Sequence, residues 1–179
     1  YKISPKSFFQ TNSRQAKRLY DIVKTFGNFS KDDTVYDLYC GTGSIGLYIA
    51  SECKKVVGIE QIPEAIEDAT FNATLNTIEN AAFHAGTCED ILKDSFIEQH
   101  GIPDIVVVDP PRAGLHEKVV QVLLQVAPKR IVYVSCNPAT QARDVLMFSD
   151  RYTVVRCRPV DMFPHTYHIE NVILLELKN

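Results

Sequence analysis

Cys136 closes the run Arg130-Ile-Val-Tyr-Val-Ser-Cys136, and Asn137-Pro-Ala-Thr140 follows it. A short β-branched run of this kind reads as a buried strand, and Asn-Pro can open a turn or the first turn of a helix. The thiol then sits at the carboxyl end of a strand, just before a helix amino terminus. There the helix dipole and free backbone N–H groups favour the thiolate, the nucleophilic form of cysteine. A free cysteine is also commonly one more buried small hydrophobe, and position alone leaves the two readings even. Other groups could share chemistry with such a thiol. Gly41-Thr-Gly43-Ser-Ile-Gly46 has the G-x-G-x-x-G spacing that lets a backbone approach a nucleotide closely. Glu60 ends an apolar run, where a carboxylate can accept hydrogen bonds from both ribose hydroxyls while repelling a 2′-phosphate. Asp109-Pro-Pro-Arg112 makes a rigid, acceptor-rich turn, because neither proline can donate.

Other charged positions carry weaker signals. Glu170 opens the apolar stretch Asn171-Val-Ile-Leu-Leu175, and a lone charge there is more often just the exposed position. His165 and His168 lie close by without a third ligand in sequence, so no metal site is expected. Asp90, at the start of a helical stretch, has capping as its commoner job and the edge of a nucleotide pocket as the sharper alternative.

The elements that would position these groups alternate along the chain. Strands are expected at Val35-Tyr-Asp-Leu-Tyr39, Val56-Val-Gly-Ile-Glu60, 81–86, 104–109 and 130–135. A helix capped by Asn12 or Ser13 runs to about Phe26, with Ala16, Leu19, Tyr20 and Val23 at helical spacing. Others are expected through Ile49 to about Glu52, from Pro63 through Leu75, and over 88–100, 116–126 and 140–148. Tyr152 to Val160 and His168 to Leu177 read as two final strands. Their connection is short, which makes them an antiparallel pair. Strand–helix alternation means a parallel sheet covered on both faces. The expected class is therefore α/β, with a seven-stranded, mostly parallel sheet ending in an antiparallel hairpin.

The 179 residues suit one domain spanning the chain, with 1–31 as an arm and helix. At 45% hydrophobic and 23% charged, the composition is that of an ordinary globular protein, and no apolar run approaches membrane-spanning length. The five cysteines include no C-x-x-C pair, which argues against zinc or iron–sulfur sites and points to a reducing cytoplasm. The start at Tyr1 suggests an excised piece of a longer protein. Net charge is −3, but residues 1–31 carry Lys2, Lys6, Arg14, Lys17, Arg18, Lys24 and Lys31 against the single acid Asp21. A solvated helix face is the commoner meaning of such a run, and a phosphate-contacting edge is the sharper one.

Five motifs occur together and in order: Ser7-Phe-Phe-Gln10-x-Asn12, Asp37-Leu-Tyr-Cys-Gly-Thr-Gly43, Asp109-Pro-Pro-Arg-Ala-Gly114, Ser135-Cys-Asn-Pro138 and Phe163-Pro-His-Thr-x-His-Ile-Glu170. Together they resemble the catalytic domain of the RNA 5-methyluridine methyltransferases, over essentially the whole chain. That resemblance implies a Rossmann-like class I fold that uses S-adenosyl-L-methionine. It implies that Cys136 adds to C6 of a uridine, that the methyl group goes to C5, and that Glu170 removes the C5 proton. Gln10, Tyr39, Gly41, Ser44, Glu60 and Asp109 would hold the methyl donor, with Asp109 and Arg112 on the uracil side. The implied partner is transfer RNA or large-subunit ribosomal RNA, acted on by a monomer in the cytoplasm without membrane contact. Family members usually begin with a small RNA-binding domain, and some carry an iron–sulfur cluster there. Neither fits before Tyr1, so weak RNA binding is expected of this piece alone. Three competitors remain: an amine or protein methyltransferase, an NAD-dependent oxidoreductase built on the same glycine loop, and a non-catalytic binding module. Arg112, where amine methyltransferases carry an aromatic residue, weighs against the first.

Overall fold

A computed structural model describes residues 2, 12–166 and 169–178. The β-branched runs become β1 (Thr34–Leu38), β2 (Lys55–Glu60), β3 (Ala81–Ala85), β4 (Ile105–Val108) and β5 (Arg130–Ser135), all parallel. The chain then adds β6 (Tyr152–Val160) and β7 (Glu170–Leu177). The sheet order is β3-β2-β1-β4-β5-β7-β6, so β7 inserts between β5 and β6 and runs antiparallel to both. The expected seven-stranded sheet with its terminal antiparallel pair is present.

Helices cover both faces. Beside β4, β5, β6 and β7 lies α1 (Ser13–Gly27), capped by Asn12, whose Oδ1 accepts from the Gln15 N–H at 3.2 Å. With α2 (Ser44–Ile49) it buries Leu19, Val23, Ile45 and Ile49 against Val35, Val56, Val107, Val134, Val172 and Leu174. The opposite face holds α4 (Cys88–Ile91), α6 (Glu117–Val126) and α7 (Pro138–Phe148), which pack on Tyr36, Ile59, Val108, Ile131, Tyr133, Ile173 and Leu175. Because side chains alternate along each strand, odd and even positions of the same strand serve different layers. The remaining helices are α3 (Pro63–Leu75) and α5 (Asp94–His100). Among the described residues no helix is long and apolar enough to cross a membrane.

Two local expectations need correction. The single helix expected over 88–100 is two, α4 and α5. Leu92 (φ −70°, ψ 73°) turns into the core and Lys93 is extended, so burial of one leucine breaks the helix where neither glycine nor proline signals a stop. The helix after β5 begins at Pro138 rather than Thr140. Proline at the first helical position loses nothing, since its missing N–H would have had no intrahelical partner.

At the open edge, β6 is exposed over most of its length. A register shift between Val154 and Arg156, the charges of Arg156 and Arg158, and Pro159 blunt it against further strand pairing.

Candidate active site

Strand parity gathers the reactive groups. Val56 of β2, Val35 of β1, Val107 of β4, Val134 of β5 and Val172 of β7 all face α1 and α2. Stepping along each strand in twos brings Glu60, Asp37, Asp109, Cys136 and Glu170 to that same face. These strands are neighbours in the sheet, so Glu60, Asp109, Cys136 and Glu170 line up at one end of it, while Asp37, level with Gly58 and Val107, lies one same-face step behind. The β5–β7 pairing runs from Arg130↔Glu176 to Ser135↔Asn171, and one further step sets Cys136 opposite Glu170. Opposed residues on one face of an antiparallel pair have Cβ atoms about 4.5–5.5 Å apart. A cleft of 410 Å³ opens over this end, lined by Tyr39, Gly41, Ser44, Glu60, Asp109, Arg112, Cys136 and Glu170, with Leu19 and Tyr20 of α1 as its wall.

The turn after β1 forms the floor. Tyr39 (φ 62°), Gly41 (φ 53°) and Gly43 (φ 74°) all adopt the left-handed conformation, which folds the chain tightly before α2. Gly46 must be glycine for a different reason, since a Cβ there would lie 2.8 Å from Asp37 Oδ2. Instead its N–H donates to that oxygen at 2.8 Å. Asp37 is fully buried, and burial lifts its carboxyl to about 7, with Glu60 adding to the rise and the Gly46 N–H opposing it. Asp37 Oδ1 and Thr42 Oγ1 have no hydrogen-bond partner among the described residues. Glu60 is held by two backbone donors, Gly41 N–H at 3.1 Å and Ile62 N–H at 3.0 Å. Each of its oxygens keeps a further lone pair for a ligand.

The turn after Cys136 is tied to the Asp109 loop. Ser135 Oγ accepts from the Asn137 N–H at 3.0 Å, and Asn137 Oδ1 caps α7 by accepting from the Ala139 N–H at 3.2 Å. Asn137 Nδ2 and Thr140 Oγ1 both donate to the Arg112 carbonyl, at 3.2 and 3.1 Å. Below them Asp144, wholly buried, accepts from Tyr133 OH at 2.6 Å, Leu115 N–H at 2.7 Å and the Arg143 guanidinium at 2.6 Å. Sequence reasoning missed these ties; only the capping asparagine in Ser-Cys-Asn-Pro left a signal.

Other groups act on the Cys136 thiol as well. Burial lifts the Cys136 thiol above its ordinary value, and Glu170 and Asp109 raise it further, while Arg112 opposes them. Burial and the two acidic side chains thus act on the thiol against the direction expected of a helix amino terminus. Burial likewise pushes Asp109 well above the carboxylate range, helped by Glu170 and Asp37. It also raises Glu170, and Arg112 works in the opposite direction.

Gln10 lies outside the described residues. Asp90 accepts from Thr87 Oγ1 at 2.8 Å. Beyond Tyr39 and Gln61 a second cavity of 520 Å³ adjoins the cleft, reaching Cys88, Leu115 and His116. The basic run at the amino terminus is partly neutralised within the chain, by Lys2–Asp68, Lys17–Asp21 and Lys24–Glu52 ion pairs.

A family model described as tRNA (uracil-5-)-methyltransferase matches residues 1–178. An uncharacterized RNA methyltransferase of Porphyromonas gingivalis is 60% identical over 177 residues, covering 98% of this chain and 38% of the relative. A second, from Bacteroides thetaiotaomicron, is 56% identical over 99% of this chain and 39% of its own length. Among solved structures, the Pyrococcus abyssi tRNA (uracil-54, C5)-methyltransferase in complex with S-adenosyl-L-homocysteine superposes with a TM-score of 0.83 at 40% identity, covering 98% of this chain and 41% of that one. The precorrin-6y C5,15-methyltransferase of Geobacter metallireducens, at a TM-score of 0.75 and 13% identity, shares the fold. The chain thus spans about two-fifths of the length of these curated relatives. On the match over nearly its full length, the chain belongs to the tRNA (uracil-5-)-methyltransferase family.

Proposed function

We propose that this chain is the catalytic domain of an enzyme that converts uridine to 5-methyluridine in RNA, with S-adenosyl-L-methionine as methyl donor. The pairing of Cys136 against Glu170, on one face and in an acid-lined cleft, carries this reading. The donor supplies an electrophilic methyl group on a sulfonium cation. Glu60, which lines the cleft, has lone pairs for a ribose. The cleft volume falls within the range of about 300–1,000 Å³ typical of ligand sites.

C5 of uracil is a poor nucleophile until a thiolate adds at C6. Cys136 Sγ forms the bond to C6, and the displaced electron pair makes C5 nucleophilic enough to take the methyl group. Glu170 then accepts the C5 proton. The released pair re-forms the C5–C6 double bond and expels Cys136 as thiolate, and Glu170 then gives its proton to solvent, which restores the starting state. Glu170 suits this role because burial raises its basicity. Arg112 favours the thiolate of Cys136, and with Asp109 it borders the uracil. A uridine must leave its stack to reach groups at the strand ends. Transfer RNA is the substrate that the family description and the archaeal neighbour's name favour.

The deciding experiment incubates the full-length protein with methyl donor and 5-fluorouridine-substituted transfer RNA. A base can remove hydrogen from C5 as a proton but cannot remove fluorine as a cation, so elimination is blocked and a covalent protein–RNA adduct is expected on denaturing gels. Absence of an adduct, or its persistence in Cys136→Ala, would sink the mechanism.

A further inference from the structure

Directly behind the reactive pair, on the other face of the sheet, sits a buried amide clasp. Ile131 and Tyr133 of β5 and Ile173 and Leu175 of β7 face the α6 and α7 layer, so alternation sends Ser135 and Asn171 to that side. Ser135↔Asn171 is the last paired rung before Cys136 and Glu170. Asn171 Nδ2 donates to Gln141 Oε1 at 2.7 Å. Gln141 Nε2 donates to the Tyr133 carbonyl at 2.9 Å and to the Asn171 carbonyl at 3.3 Å. From β6, Cys157 Sγ approaches Asn171 Oδ1 at 3.4 Å. Gln141 is fully buried and Asn171 is 8% exposed. The Gln141 backbone N–H donates to the carbonyl of Asn137, the residue after Cys136, at 3.1 Å.

A buried polar pair between two strands and a helix is costly unless each group is satisfied, and apolar side chains would fill this layer without that demand. The clasp does something apolar packing cannot. It fixes α7, β5 and the start of β7 to one another by directional bonds, one residue from Glu170 and three from Cys136. We infer that Gln141 and Asn171 are positioning residues that set the distance between Cys136 and Glu170. This rests on the covalent cycle proposed above. Their loss should act mainly on the step that needs both groups aligned, proton removal by Glu170 with expulsion of Cys136. Addition and methyl transfer need only Cys136 and the donor.

The test compares the full-length protein with Gln141→Leu/Asn171→Val, in which both partners become apolar, a change that can be nearly neutral for stability. Ordinary uridine RNA and 5-fluorouridine RNA are each incubated with enzyme and S-adenosyl-L-methionine, and adducts are read on denaturing gels. A misplacement near 1 Å can slow a step by up to about 100-fold, so turnover should fall roughly 10-fold or more. An adduct with ordinary RNA should accumulate, while trapping by 5-fluorouridine RNA and donor affinity stay at wild-type levels. Wild-type turnover without adduct in the folded double variant overturns the inference. So does a parallel loss of trapping, turnover and donor affinity, which marks a merely structural role. If the double variant does not fold, Asn171→Ser is read on the same gels and decides. Glu170→Gln serves as control. If it builds up no adduct with ordinary RNA, the base assignment has failed; if it does and the clasp variants do not, only the clasp has failed.

Discussion

Asn137 joins two jobs that can be separated. Its Oδ1 caps α7, and its Nδ2 tethers the Asp109–Arg112 loop through the Arg112 carbonyl. Losing a helix amino-terminal cap to alanine costs about 1 kcal/mol. One partly exposed side chain–backbone hydrogen bond contributes at most about 1 kcal/mol. Asn137→Ala should therefore lose about 2 kcal/mol, which for a domain of this size lowers the melting temperature by about 4–8 °C. Asn137→Asp keeps the cap, with a charge that the helix dipole favours, but it cannot donate to Arg112. Its expected loss is about half, on the order of 2–4 °C. Reactivity should run the other way. A carboxylate next to Cys136 acts in the same direction as Glu170 and Asp109, so iodoacetamide should alkylate Cys136 more slowly in the aspartate variant than in the alanine variant. Thermal unfolding and mass-spectrometric alkylation rates measure both. Equal destabilisation by the two substitutions would mean that the Arg112 tether contributes nothing, and alanine alkylating more slowly than aspartate would refute the electrostatic reasoning.

Two more outcomes follow from the charged groups. Because burial, Glu170 and Asp109 raise the Cys136 thiol, alkylation should climb only as pH passes above the ordinary value of 9.0; Glu170→Gln should be faster and Arg112→Ala slower at any fixed pH, and identical profiles would contradict the coupling. Asp37 is raised from 3.8 to about 7, so its contribution to stability is fully present below the lower value and lost as pH rises through the upper one; urea unfolding across that window should show a decline that Asp37→Asn flattens.

Much of the architecture was legible because parallel strands buried on both faces must be continuous β-branched runs, as in Ile105–Val108 and the stretch ending at Ser135. Asn137 and Pro138 are equally plain as cap and first helical residue. The break at Leu92 was not legible, since it depends on where a leucine meets the core rather than on any breaker residue. Glu170 read as an exposed strand end because its partner across the sheet, 34 positions away in the chain, is fixed by the β5–β7 pairing. The raised thiol of Cys136 was hidden for the same reason: a helix terminus is local, whereas the two opposing carboxylates arrive from different strands. The clasp of Gln141 and Asn171 is the extreme case, two ordinary polar residues whose meaning exists only as a pair.

The antiparallel entry of β7 has a consequence for length changes in the gene. Inserting one residue within β7 slides its start by one position against β5, which swaps the faces of every displaced side chain. Glu170 would then point at the α7 layer and Asn171 into the cleft, an exchange more damaging than most single substitutions. Two inserted residues restore the face but carry the carboxylate about 6.8 Å along the strand, beyond reach of the thiol's rung. Surface loops away from the cleft tolerate added length far better, while β5 and β7 are held to a fixed count as well as to a fixed pattern.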